Sequence, residues 1–285
     1  MMNFLIDVLQ VLNMKMQTPT PYGWFHWLFI GITVVATIVI CVCLKHKTRR
    51  QVIAIVFGTA IMVAVLEIYK QINFTLVPDG NKINVDYQWY AFPWQFCSMP
   101  MYVGLLAGII RKGKIHDALC AFLATFSVFA GVCVMLYPVS VFVDTIGINI
   151  QTMICHGSMI VIGVYLMYTG YVKIELKTIQ KAIPVFACGV LIAVIMNEIA
   201  FYSGLLKEET FNMFFISRHC APSLPVYSLV QQLVAYPWEL MIYIAGFSTA
   251  ALLVLLISMC VRRIVVESRK KEKIAYINYK NSIAK

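Results

Sequence analysis

The sequence predicts an all-α, polytopic membrane bundle of seven transmembrane helices, with the N-terminus outside and the C-terminus in the cytoplasm. Three observations predict it: 61% of the 285 residues are hydrophobic, only 13% are charged, and the apolar residues fall in long runs with the charge confined between them. A mean hydropathy of +0.80 summarises the same bias. Soluble domains carry about a quarter charged residues, and a water-soluble fold of this length could not hide so much apolar surface.

The first element, residues 1–20, is expected to be a short helix in the outer interface, because Leu5, Val8, Leu9, Leu12 and Met16 recur at helical spacing. Asp7 and the lack of a basic stretch before the apolar residues argue against a cleavable signal peptide. The transmembrane domain, residues 21–265, contains seven runs near the roughly 20 residues needed to cross about 30 Å of hydrocarbon. They are Trp24 to Leu44, Val52 to Tyr69, Pro93 to Ile110, Asp117 to Leu136, Asn149 to Tyr171, Ile183 to Tyr202 and Ala235 to Val261. Each is read as helix, since an isolated strand would leave backbone groups unpaired in lipid. Residues 266–285 form a basic cytoplasmic tail, whose Lys and Arg suit anionic lipid headgroups better than nucleic acid.

Orientation follows from retention of positive charge on the cytoplasmic side. Of 23 Lys and Arg, 18 fall in the segments after spans one, three, five and seven, and only Lys15, Lys70, Lys82, Lys207 and Arg218 fall on the other side. The net charge of +10 is therefore mainly a topology signal.

An internal repeat is expected as well. Ala91-Phe92-Pro93-Trp94-Gln95-Phe96 parallels Ala235-Tyr236-Pro237-Trp238-Glu239-Leu240, each opening a span with Pro at the first helical turn, where its missing N–H costs nothing. Spans two and six both carry a Glu near the outer end, Glu67 and Glu198. Spans one to three would then match spans five to seven in parallel, with span four as linker, a 3+1+3 arrangement of the kind some transporters use.

Ionisable residues within a membrane usually mark a function, and here they gather toward the outer side. Cys97 falls roughly 6 Å below the start of span three and His156 roughly 10 Å below the start of span five, at 1.5 Å per residue. Cys97, His156, Glu67, Glu198 and Glu239 are expected to line one outer-leaflet pocket. Its chemistry would be nucleophilic: Cys97 as the attacking thiol, aided by a helix N-terminus, His156 as base and Glu198 as orienter of the imidazole. Asn197, beside Glu198, points elsewhere on the helix. The competing readings are packing for a Cys in an apolar span and snorkelling to the interface for Glu67 and Glu239. Cys155, next to His156 in sequence, is expected to face another direction.

The segments FPWQFCSMP from Phe92 to Pro100, ICHG from Ile154 to Gly157, and NEIAF with FNMFFISRHCAP between Asn197 and Pro222 resemble the YwaF-type family of bacterial integral membrane proteins. More distantly they resemble the eukaryotic transmembrane protein 164 family. The second resemblance implies movement of acyl chains between phospholipids through a membrane Cys and His. It maps His156 onto the family's His, whereas Trp94 and Gln95 stand where that family can carry another Cys.

The long outer connection, Ser203 to Val234, suits a lid or entrance. Asn212, Arg218, His219, Pro222 and Pro225 lie in it, Phe211, Phe214 and Phe215 suggest that part dips into the interface, and Arg218 can pair with a phosphate. Trp94, Gln95, Asn197 and Asn212 join Glu67, Arg218 and Glu239 as candidate substrate-binding residues.

No nucleotide motif, Gly-rich phosphate loop or C-x-x-C spacing is present, and most of the nine cysteines fall inside apolar spans as small hydrophobes. No cofactor and no metal site is expected, and the partners expected are membrane lipids, not nucleic acid. The reading is an integral protein of the bacterial cytoplasmic membrane that transfers or hydrolyses lipid acyl groups. The alternative is a small-molecule transporter or receptor that binds solute between the repeats.

Overall fold

A computed structural model describes residues 2–283 other than 139–140, 207–208, 222–223, 225–226 and 237, with backbone alone for 2 and 269–283. Pro222, Pro225 and Pro237 lie outside the described residues. Helix covers most of each apolar run: α1 (Met2–Leu12), α2 (Trp24–Cys43), α3 (Arg49–Asn73), α4 (Met99–Ile110), α5 (Lys114–Phe122), α6 (Val128–Leu136), α7 (Ile146–Tyr168), α8 (Leu176–Tyr202), α9 (Tyr227–Leu233) and α10 (Trp238–Ile283). A π-helical turn, Leu123–Ser127, joins α5 to α6 into one continuous span. A small hairpin, β1 (Leu76–Asp79) with β2 (Lys82–Val85), projects after α3, turning at Gly80 with φ +56°.

Among the described residues six helices are long and apolar enough to cross a membrane: Trp24–Cys43, Arg49–Asn73, Lys114–Leu136, Ile146–Tyr168, Leu176–Tyr202 and Trp238–Ser268. The third expected span differs. It is the 12-residue helix α4, about 18 Å long, entered through an irregular stretch from Phe92 to Ser98. Pro93 therefore does not open the helix. That place belongs to Pro100, one of the first two residues of α4, where a missing N–H leaves no orphan. Several other helices begin earlier than the apolar runs suggest, because polar first turns are helical too. Thr48 caps α3 with a full capping box, its hydroxyl accepting from Gln51 N while Gln51 answers with its side chain.

The span Lys114–Leu136 is the centre of the bundle, with 72% of its apolar window buried against 17% for Trp238–Ser268. Around it an aromatic column stacks Phe126 on Phe186 at 4.7 Å and Phe186 on Phe247 at 5.5 Å, with Phe122 and Tyr243 continuing it. The outward faces of α2 and α10 carry exposed Ile32, Val35, Val42, Leu253 and Ile257, as lipid contact requires.

Side-chain contacts define two ends. At one, Tyr165 donates to Leu44 O, and His116, Tyr171 and Arg49 meet. The loops after α2, α4 and α7, with the first turns of the helices that follow them, concentrate basic charge at this end, from Lys45 to Arg50, Arg111 to Lys114 and Lys173 to Lys181. At the other, Lys15 pairs with Asp144 at 2.9 Å, Tyr69 donates to Leu12 O at 2.8 Å, and the hairpin meets α1.

Candidate functional site

Midway along the bundle, α3, α4 with its lead-in, the π turn and α7 line a small cavity of about 30 Å³, room for about one water. Cys97 lines it, but so does Cys155, with Ser127, Ser158 and Met159 between them. Cys97 lies two residues before α4 rather than inside its first turn, so it faces the positive end of the helix from outside. Gln151 donates an N–H to Cys155 Sγ at 3.4 Å.

His156, one residue on, is turned about 100° around α7. Its segment is wedged between α6 and α2: a Cβ at Gly131 would meet the His156 carbonyl at 2.7 Å, and one at Gly157 would meet Thr33 Oγ1 at 2.5 Å. His156 Nδ1 lies 2.7 Å from Thr152 O. A carbonyl only accepts, so Nδ1 carries the proton and Nε2 presents a lone pair. That Nε2 is buried and unpartnered among the described residues. The expected pocket is thus divided: the thiols share a cavity, and the imidazole flanks it without lining it.

Glu198 does not orient His156. Its carboxylate accepts from Arg218 Nε at 3.0 Å and from Nη2 at 2.7 Å, and lies 3.2 Å from His219 Nε2. His219 stacks flat on Phe201 at 3.6 Å, and Arg218 lies over Tyr236. The Glu198 carboxylate in turn holds the Arg218 guanidinium above its ordinary range. The orienting role near His156 falls to the Thr152 carbonyl, one turn back, a backbone group that no residue-type search would flag.

Gln95, Asn197 and Asn212 shape the segment that enters from the long connection. Asn197 grips Met213 at both backbone atoms, accepting from its N–H at 2.8 Å and donating to its carbonyl at 3.1 Å. Gln95 does the same across two residues, accepting from Phe214 N at 2.9 Å and donating to Asn212 O at 3.0 Å. Asn212 itself closes the segment by accepting from Ser217 N. The clasp holds Phe214 and Phe215 at positive φ, with Met213, Phe214 and Ile216 fully buried. The expectation that these phenylalanines dip inward is met by a segment folded into the bundle; Phe215 stays exposed at 41%. Trp94 Nε1 donates to Gly189 O, tying the irregular stretch to α8.

Glu67 is buried near the C-terminal end of α3 and pairs with Lys70 at 2.8 Å. Gln71 donates to Glu67 and to Ala91 O and accepts from the Tyr87 hydroxyl. Burial pushes the Tyr87 phenol up to about 12, with the Glu67 carboxylate adding to the effect. Glu239, also buried, faces Tyr227 on α9. Sequence reasoning missed Lys70, which reads as a stray outer charge until its spacing of three from Glu67 is considered. It also set Cys155 aside, although 155, 159 and 162 share one helical face.

A helical bundle with six membrane-length apolar helices and polar side chains enclosed among them defines a multi-pass integral membrane protein. Within that class the chain belongs to the TMEM164 family, whose model matches residues 21–259. Neither a curated protein nor a solved structure matches it.

Proposed function

We propose that the protein transfers or hydrolyses the acyl group of a membrane lipid, with Cys97 as nucleophile and His156 as base. The observation that carries this reading is the His156 imidazole. It is buried at membrane depth, held by Thr152 in the tautomer with Nε2 unprotonated, and left without a partner there. A buried polar atom ordinarily finds a hydrogen bond, so a lone pair kept free beside a thiol-lined cavity suits proton transfer. In the first step the Cys97 sulfur attacks the ester carbonyl, a C–S bond forms, the C–O bond breaks, and His156 passes the thiol proton to the departing alkoxide. In the second, water or an acceptor hydroxyl attacks the thioester and its proton returns through His156 to the sulfur. The two groups meet in this scheme by a swing of the imidazole toward the cavity as substrate enters.

The seven-span reading, with α4 and its lead-in as the third crossing and the basic loops in the cytoplasm, belongs to this proposal. So do the 3+1+3 repeat, the bacterial cytoplasmic membrane and the likeness to YwaF-type proteins. Lipid is the partner it requires, and no cofactor enters either step.

The test is labelling of the purified protein with a clickable phospholipid acyl probe, read for hydroxylamine sensitivity. Loss of label in both Cys97→Ser and His156→Ala supports the scheme. Unlabelled wild type across several lipid classes refutes it. A second reading, solute transport, is favoured by the buried Glu67–Lys70 pair with its Gln71 and Tyr87 partners. It predicts tolerance of Cys97→Ala and loss of uptake in Glu67→Gln.

A further inference from the structure

At the end of the bundle remote from the thiols, a pocket of about 210 Å³ opens among the beginnings of α3, α5 and α8. Arg49, Lys173 and Lys181 line it, together with Asp117, Glu175 and Tyr171. Neither catalysis by Cys97 nor the orientation of the bundle requires such a pocket.

Its construction is specific at Arg49. His116 is fully buried, and its Nδ1 donates to Ala107 O at 3.1 Å, so Nε2 accepts the Tyr171 hydroxyl at 2.6 Å. That bond fixes the Tyr171 ring, and the Arg49 guanidinium lies over it, 4.3 Å from the centroid. A side chain that would otherwise sweep through solvent is thereby parked at the rim, and the N–H groups it does not turn to Tyr171 can fork onto an oxyanion. Arg49, Lys173 and Lys181 form no ion pair with any described residue.

The charge balance fits one kind of occupant. Three cations against two carboxylates leave one net positive charge, and the ends of α5 and α8, neither capped by a side chain, add roughly half a charge each. A total near two positive charges in an open, polar pocket suits a phosphoryl group.

We propose that this pocket binds a phosphoryl group, carried by the headgroup of an anionic phospholipid or by free phosphate, with Arg49 as its fixed ligand and Lys173 and Lys181 closing on it. The site is independent of the acyl-transfer reading. On the positive-inside expectation it faces the cytoplasmic leaflet, within reach of lipid headgroups.

The test measures thermal stabilisation of the full-length protein in neutral detergent at fixed ionic strength. The added probes are inorganic phosphate, short-chain phosphatidic acid, and diacylglycerol as the phosphate-free control. Saturable stabilisation by phosphatidic acid alone supports a headgroup site, and stabilisation by inorganic phosphate as well supports a site for the free ion. In either case Arg49→Gln and Lys181→Gln should each weaken apparent binding on the order of tenfold. Lys177→Gln, one turn before Lys181 on α8 but outside the pocket, should leave it unchanged. Lys181 is exposed, so its variant reads the site even if Arg49→Gln loosens Tyr171. The proposal is overturned if no phosphate-bearing probe stabilises the protein, or if Lys181→Gln and Lys177→Gln bind equally well.

Discussion

Asn197→Ala tests the clasp that folds the long connection into the bundle. The substitution removes two hydrogen bonds at once and strands the Met213 N–H, on a residue with no exposure, while the Met213 carbonyl keeps only the 3.4 Å bond from Ile216 N. A buried group left unsatisfied costs about 1–3 kcal/mol and a lost hydrogen bond about 1 kcal/mol, so local opening of the Asn212–Ser217 segment should become easier by roughly 3 kcal/mol. Because 1.4 kcal/mol is tenfold, the open population should rise about a hundredfold. Limited trypsin digestion in micelles reads this at Arg218, just beyond the clasp, since cleavage that is slow relative to reclosing tracks the open population. Gln95→Ala should act on the same segment through Asn212 and Phe214. The double variant should fall well short of the summed effects, because a segment released once gains little from a second release. Cleavage of Asn197→Ala at a rate within about twofold of wild type would refute the reasoning, and so would strict additivity.

Further consequences concern packing and charge. Gly163→Ala places a methyl 2.5 Å from Leu123 O, a backbone atom of the π turn, and should cost about 1–3 kcal/mol in thermal or denaturant unfolding. Gly58→Ala on α3, where a Cβ meets nothing within 4 Å, should be neutral or stabilising by up to about 1 kcal/mol. Glu67→Gln leaves Lys70 without its counter-charge and should cost about 1–2 kcal/mol, more than the ~0–1 kcal/mol of an exposed pair; equal melting curves for Glu67→Gln and wild type would exclude this. Lys15 holds the Asp144 carboxyl below its ordinary range by a hydrogen bond and charge. A depressed carboxylate contributes fully above its unfolded value of about 3.9 and loses the contribution as pH falls from there toward the folded value. Protection of the α1 amides, after correction for the intrinsic pH dependence of exchange, should fall over that interval and be flat from pH 5 to 7.

The apolar runs made the membrane helices legible because lipid permits so few backbone solutions. The third span was misread for the same reason: Phe92 to Ser98 is apolar enough for helix, yet Gln95 spends its side chain on Asn212 and Phe214 instead, and helix begins only at Met99. Candidate residues were visible as types, since Glu67, Asn197 and Glu239 are indeed buried, but their partners were not. Glu198 is claimed by Arg218 and His219 from a connection whose path no periodicity encodes. The tautomer of His156 depends on a backbone carbonyl, which carries no residue signature. Spacing alone separated Cys155 from His156 correctly, and what it did not reveal was which of the two faces Cys97.

The π turn at Leu123–Ser127 has a consequence for counting. A wide turn holds one residue more than the α-helical course around it, so the two halves of this span are out of phase by about 100° when numbered as one helix. Winding that turn as ordinary α-helix with no residue removed would swing α6 by that angle, carrying Gly131 away from the His156 carbonyl it must accommodate and breaking the seam between α6 and α7. The turn thus works as a vernier: one residue sets the angular register between the half of the span that carries the buried His116 and the half that packs on His156.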